Sequence, residues 1–186
     1  MQQLTFVTGN ELKFRYAEEL CRGMGVELVQ ADFDMPEIQS EIGEVIARDK
    51  ANKVFDKFQK PIVITDDSWS IPALRGFPGP YMKSMNHWLT PEDWLRLTLP
   101  LEDRTIILHQ IAVYQDEVEQ VVFAVDIKGT LLTEIRGTSK WPHNTVVSFD
   151  GGKHSDAEAH AKGQSGAIAQ HSAWHELCKW LKEREA

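Results

Sequence analysis

The sequence predicts an α/β fold: a long central mixed sheet flanked by helices, arranged as two lobes with the active site in the cleft between them. Three observations predict it. Short apolar runs alternate with helical patterns over residues 3–65, a run rich in β-branched residues takes over from 104 to 136, and an amphipathic pattern closes the chain at 168–184. No repeat, low-complexity tract or linker divides the 186 residues, so they read as one domain, 1–186.

Residues 3–8 read as a buried strand, and 10–23 as a helix with Leu12, Tyr16, Leu20 and Met24 on one face. Val26 to Val29 is a short strand. Residues 43–58 form a second helix with Val45, Ala47, Ala51 and Val54 as its apolar stripe, and 61–65 a third strand. Thr90 caps a helix at 91–97, where Pro91 takes the first position. Strands follow at 105–114, 120–126 and 130–135, separated by turns at Asp116-Glu117 and Lys128-Gly129.

Composition narrows the function. A hydrophobic content of 42% supports a real core. A formal charge of −8 argues against a nucleic-acid surface, although a few lysines and a metal can reverse the local potential for a free nucleotide. No apolar run reaches the ~18–20 residues of a membrane span, and the N-terminus has no basic-then-apolar signal. A cytoplasmic, soluble protein is expected, with Cys21 and Cys178 as buried thiols of a reducing compartment.

The chemistry begins at Thr8-Gly9-Asn10-Glu11-Leu12-Lys13, between the first strand and the first helix. The turn exposes backbone N–H groups, the helix start adds partial positive charge and Lys13 a full one, which together make a seat for an anion. Asn10 is placed to cap that helix. A carboxylate-rich loop, Asp34-Met35-Pro36-Glu37-Ile38-Gln39-Ser40-Glu41, precedes the second helix, and the third strand ends in Asp66-Asp67-Ser68. A Gly- and Pro-punctuated loop then ends on Lys83. An anion seat, hard oxygen ligands and a second lysine describe a site for a phosphorylated substrate with a divalent metal, Mg2+ by ligand type.

In this order and spacing the segments resemble the inosine triphosphate pyrophosphatase (Ham1-like) family, which hydrolyses deaminated purine nucleoside triphosphates to monophosphate and pyrophosphate. The stretch Gly76-Phe77-Pro78-Gly79-Pro80-Tyr81-Met82-Lys83 is the most specific part of the match. The resemblance covers residues 4–83 well and the rest loosely. It implies a nucleoside triphosphate substrate held by Thr8, Gly9, Asn10, Lys13, Ser68, Lys83 and Trp141. It also implies a metal held by Glu37, Asp66 and Asp67, catalysis by Asp67 with Lys13, and a homodimer. The family usually has Glu-Asp where this chain has Asp66-Asp67, which shortens one arm by a methylene.

The last third departs from that pattern. Relatives carry a Phe-Gly-Tyr/Trp-Asp-Pro stretch against the purine, where this chain has Ser139-Lys140-Trp141-Pro142-His143-Asn144. They also carry a Lys…Ser-His-Arg run on the 6-oxo edge. Anchored on Ala157-Glu158 and Ala173, the lysine falls on Gln164 and Ser-His-Arg on Ile168-Ala169-Gln170. An altered base preference is therefore expected, since such selectivity rests on matched polar pairs. His143, Asn144 and His171 are the candidates to replace a lost contact. His171 and His175 have the spacing of a helical zinc pair, but Ser172 stands where a metalloprotease glutamate would, and zinc is rejected. Trp88, Trp94, Trp174 and Trp180 add an aromatic argument for a dimer, with segment 81–97 near its interface. Two alternatives stay open: the same fold acting on a modified pyrimidine or other nucleotide, and a non-catalytic nucleotide binder.

Overall fold

The computed structural model describes residues 2–163 and 172–185. Strands are β1 (Gln2–Val7), β2 (Val26–Ala31), β3 (Ile62–Ser70), β4 (Pro78–Gly79), β5 (Thr105–Gln115), β6 (Gln120–Leu131) and β7 (Val147–Ser148). Helices are α1 (Glu11–Gly23), α2 (Gly43–Phe58), α3 (Met82–Trp88), α4 (Pro91–Thr98), α5 (Asp156–Ala161) and α6 (Ala173–Glu185). The strands form a seven-stranded mixed sheet of order β2-β1-β3-β5-β6-β7, with β4 paired to β3. The expected α/β class is what the structure has. Two compact units are distinguished: one holds the chain up to Asp67, Gln110–Val125 and the C-terminal helix, the other Ser68–His109 and the residues after Val125 up to α5 and its flank.

In the first unit β1 pairs in parallel with β2, Gln2 opposite Val26, and with β3, Thr5 opposite Ile62. Parallel neighbours need crossovers, which α1 and α2 supply. Leu4, Phe6, Val63 and Tyr114 pack against Ala17 and Cys21 of α1 and Trp174, Leu177, Cys178 and Leu181 of α6. The opposite sheet face sets Val7, Ile62, Ile64 and Val113 on Ala47, Ala51 and Val54 of α2. Side chains alternate along a strand, so β3 sends Ile62 and Ile64 toward α2 and Val63 toward α1 and α6. Carried on two to three residues, the same alternation separates the adjacent acids: Asp66 faces the α2 side and Asp67 the α1 side.

Two helix faces differ from the sequence expectation by about one residue. On α1 the core takes Ala17 and Cys21, with Phe14, Leu20 and Met24 at its margin, and Tyr16 is half-buried; the Leu12 side chain lies outside the described set. On α2 Val45 is exposed and Ile46 is buried, because Ile46, eight residues before Val54, falls on the stripe that Ala47, Ala51 and Val54 define. The Asp116-Glu117 turn forms as expected, the Asp116 carboxylate accepting from the Val118 and Glu119 N–H groups.

The core of the second unit comprises Trp69, Ile71, Met82, Trp94, Ile106, Leu108, Leu131, Val146 and Val147. Thr90 caps α4 as expected: its hydroxyl accepts from Asp93 N at 3.2 Å while the Asp93 carboxylate accepts from Thr90 N at 3.1 Å. The expected turn at Lys128-Gly129 does not form, and β6 runs through it. Gly129 serves packing instead: a Cβ there would lie 2.9 Å from the Ser148 carbonyl oxygen, so glycine admits β7 against β6. A polar chain ties three strands: Ser70 Oγ lies 2.7 Å from His109 Nε2, and His109 Nδ1 lies 2.6 Å from Asp126 Oδ1. The tryptophans do not form one surface set. Trp94 and Trp174 are core residues, Trp180 is partly buried against Tyr114 and Phe123, and Trp88 is 69% exposed.

Candidate active site

The anion seat is built at the C-terminal end of β1, where β2 and α1 fix the turn. Thr8 N donates to Ala31 O at 2.8 Å and Gln30 Nε2 donates to Thr8 O at 3.0 Å, holding the turn to β2. Thr8 Oγ1 accepts from Asn10 N at 3.1 Å, and Asn10 Oδ1 accepts from Lys13 N at 3.2 Å, the helix cap expected of Asn10. Gly9 leaves room for the Asp32 carboxylate, whose Oδ1 would lie 2.9 Å from a Cβ at that position. Thr8, Gly9, Asn10 and Lys13 are thus brought together as one structure.

Lys13 then reaches across to β3, its Nζ 2.7 Å from Asp67 Oδ2. On the other sheet face Lys50 of α2 bridges two acids, its Nζ 2.9 Å from Glu37 Oε1 and 2.9 Å from Asp66 Oδ2. The Glu37 loop is held at its base by Lys53, which donates to Pro36 O at 2.8 Å. Burial acts to lower the pKa of Lys13, but the charge and hydrogen bond of Asp67, then the charges of Asp66 and Glu37, outweigh it and the pKa is raised. Lys50 follows the same pattern, burial opposed and overcome by Asp66 and Glu37. Water screens pairs as open as Lys13 and Asp67, 40% and 28% exposed. The consequence that stands is the charge state: both ammoniums remain protonated at neutral pH.

The site therefore holds three carboxylates and two ammoniums, a net charge of −1 for these five groups. Among the described residues no group of three or more His, Cys, Asp or Glu side chains is gathered closely enough to hold a metal. A Mg2+ ion does not need such a cage, because it keeps several waters and takes one or two carboxylates beside substrate phosphates. Of the three expected ligands, Glu37 and Asp66, joined through Lys50, fit that requirement, while Asp67 lies on the other sheet face with Lys13. Glu37, 59% exposed on its loop, is the ligand freest to move, whereas Lys50 is only 15% exposed. Through Lys50 the structure associates Glu37 with Asp66 rather than with Asp67.

Lys50 is the residue sequence reasoning missed. Its signal was present: three residues after Ala47 and four before Val54, it borders the α2 stripe on the helix that follows the acidic loop. The remaining expected substrate residues, Ser68, Lys83 and Trp141, belong to the second unit. Lys83 and Trp141 line one cleft of about 570 Å³ there, together with Asn86, Trp88 and Lys140, whose Nζ sits 5.6 Å above the Trp141 ring. Ser68 is half-buried in β3.

His143 and Asn144, candidate replacements for lost base contacts, are both buried. His143 is committed to the core of its unit. Asn86 Oδ1 accepts from its backbone N at 3.3 Å and from Nδ1 at 3.0 Å, and its ring packs edge-on to Trp69 at 4.9 Å. Burial, with the charge of His160, pushes its pKa down to about 3, so the imidazole is neutral at physiological pH. Gln164, Ile168, Ala169, Gln170 and His171 lie outside the described residues. Among those described, no helix is long and apolar enough to cross a membrane.

The family model described as "Ham1 family" matches residues 4–180. A protein of Methanosarcina acetivorans named dITP/XTP pyrophosphatase is 31% identical over 152 residues, 81% of this chain and 83% of its own length. One of Ajellomyces capsulatus named inosine triphosphate pyrophosphatase is 27% identical, with 98% of each chain covered. The structure of a HAM1 protein from Coxiella burnetii superposes with a TM-score of 0.79 at 18% identity, covering 98% of this chain and 100% of that one.

Proposed function

The chain belongs to the Ham1 family, and on that premise we propose that it hydrolyses a nucleoside triphosphate to the monophosphate and pyrophosphate, removing non-standard nucleotides in the cytoplasm. The observation that carries the reading is the Lys13–Asp67 pair at a helix N-terminus built to receive an anion. Two relatives that cover most of this chain bear the names of pyrophosphatases acting on such nucleotides.

The roles follow from charge and position. Backbone N–H groups at Thr8-Gly9-Asn10 and the start of α1 bind phosphate oxygens, and Lys13 and Lys50 neutralise them. Each lysine leaves its carboxylate as it turns to the phosphates. Asp67, released from Lys13, orients a water for in-line attack on phosphorus and accepts its proton. Glu37 and Asp66 would hold a Mg2+ ion, which when bound offsets charge on the phosphates and polarises them. In the second unit, Lys83 and Trp141 offer a cation and an aromatic face along one cleft.

Base preference is altered relative to the family, with inosine and xanthosine triphosphates only weakly favoured over standard purines. Support comes from Gln164, Ile168, Ala169 and Gln170 at the family's base-reading positions, and from His143, which is engaged in the core. The protein is a homodimer, and Trp88 is the exposed tryptophan available to its interface. A panel of nucleoside triphosphates with Mg2+, scored for pyrophosphate release, tests the reaction. Release from at least one, abolished by chelation, is the expected result; nucleotide binding without release from any would replace the enzyme with a binder. Light scattering should give about twice 21.2 kDa, and a monomer at micromolar concentration overturns the dimer.

A further inference from the structure

Away from the phosphate site, Cys21 of α1 and Cys178 of α6 meet in the core of the first unit, their sulfurs 3.1 Å apart. Both are free thiols with no exposed surface. We propose that this pair is an oxidative modification site: a small peroxide converts Cys21 and Cys178 to an intramolecular disulfide that fastens α1 to α6.

Geometry carries the inference. A sulfur–sulfur bond is about 2.05 Å long, so about 1 Å of approach closes it. The two helices already pack together through Ala17, Trp174, Leu177 and Leu181, and the cysteines lie within that packing. The chain has two cysteines in all, so neither has a competing partner within it. Their burial selects the oxidant: a small neutral peroxide can reach them through core fluctuations, whereas a bulky disulfide reagent needs a helix to open.

The two sulfurs are not equivalent. Cys178 is held below the usual thiol range by its contact with the Cys21 sulfur, against burial, with Lys182 one helical turn away adding in the same direction. Cys21 is pushed up by its hydrogen bond to Cys178, then by burial and by the charge of Cys178. Cys178, one helical turn from the Lys182 ammonium that favours its thiolate, is the sulfur that attacks peroxide. Its attack breaks the O–O bond and gives a sulfenic acid and one water. The Cys21 sulfur then displaces the hydroxyl from that sulfenic acid, and the hydroxyl leaves with the Cys21 proton as a second water. Two thiols and one hydrogen peroxide become one disulfide and two waters; the sulfurs give up two electrons and the peroxide takes them.

The cross-link joins positions 157 residues apart, so it restricts the unfolded chain strongly. The test treats fully reduced protein with hydrogen peroxide, then alkylates it in denaturant and measures intact mass. Expected are loss of both alkylatable thiols, a mass about 2 Da below the reduced chain, and a Tm raised by roughly 5–10 °C and returned by reductant. In Cys21→Ala the sulfenic acid is stranded, and dimedone should label Cys178; in Cys178→Ala it should leave Cys21 unlabelled. Two thiols surviving peroxide in folded wild-type protein, a disulfide between chains, or dimedone on Cys21 would each overturn the proposal. Wild-type mass alone decides the cross-link if either variant fails to fold.

Discussion

Replacing Asp67 by Asn keeps the shape of the side chain and removes its charge, which separates catalysis from folding. The pair it breaks is partly open, with Lys13 40% and Asp67 28% exposed, and an ion pair of that kind contributes about 0–1 kcal/mol. The amide oxygen of the new side chain can still accept from Lys13, so the stability cost belongs at the lower end. For a domain of this size that is a Tm change of only a few degrees. Turnover behaves differently. The amide cannot accept a proton from water, and loss of a general base costs roughly 10²–10⁴-fold. A hundredfold loss corresponds to about 2.7 kcal/mol of barrier, well above the stability change. The lost carboxylate also removes the strongest influence raising the Lys13 pKa, leaving burial less opposed. Pyrophosphate release by wild type and D67N, on the best nucleotide of the panel, measures kcat and KM while a thermal melt reports folding. The reasoning requires a loss of at least about a hundredfold, mainly in kcat, with an intact melt. Turnover within a few-fold of wild type would refute the role given to Asp67.

Lys50→Met leaves Glu37 and Asp66 facing each other without their shared cation; kcat/KM should fall roughly 10–100-fold, and an unchanged value removes Lys50 from the site. Gly129→Ala sets a Cβ 2.9 Å from the Ser148 carbonyl and 3.0 Å from the Phe149 ring, so urea unfolding should show a loss of roughly 1–3 kcal/mol, and an unaltered midpoint would mean β7 yields freely. His143 supplies a pH test. Its folded pKa of about 3 lies below the unfolded value near 6.5, so its contribution is complete above pH 6.5 and is lost as pH falls toward 3, at up to about 1.4 kcal/mol per unit. His143→Gln should flatten stability against pH between about 6.5 and 4, and parallel curves for variant and wild type would contradict a neutral buried imidazole.

Much of the fold was legible because local chemistry and tertiary structure agree. Thr90-Pro91 opened α4 and Asn10 capped α1 as their side chains dictate. The misreadings have identifiable causes. Gly129 looked like punctuation because sequence alone cannot show that another strand needs the space its missing side chain leaves. The one-residue error in the α2 face arose because Val45 and Ile46 are equally apolar, and only the fold shows that Ile46 is buried beside Ala47 while Val45 is exposed. Tryptophan counts pointed to a surface, yet Trp94 and Trp174 fill cores, since a large ring is as useful inside a small unit as between subunits.

The candidate site was legible as residue types but not as pairings, and the difference is physical. Adjacent acids on a strand look like one ligand pair in sequence. Strand alternation sends Asp66 and Asp67 to opposite faces, where each meets a lysine from a different helix. Lys13 belongs to the phosphate seat and Lys50 to the acidic loop through Glu37, so β3 joins two half-sites that the sequence places 37 residues apart. The same alternation gives the lysines their function. The carboxylate beside each lysine raises the pKa of its ammonium against burial, so each is ready for a phosphate. Removing the carboxylate from either pair therefore leaves burial less opposed at its lysine. For that reason D67N should be compared with wild type across pH and not at a single value.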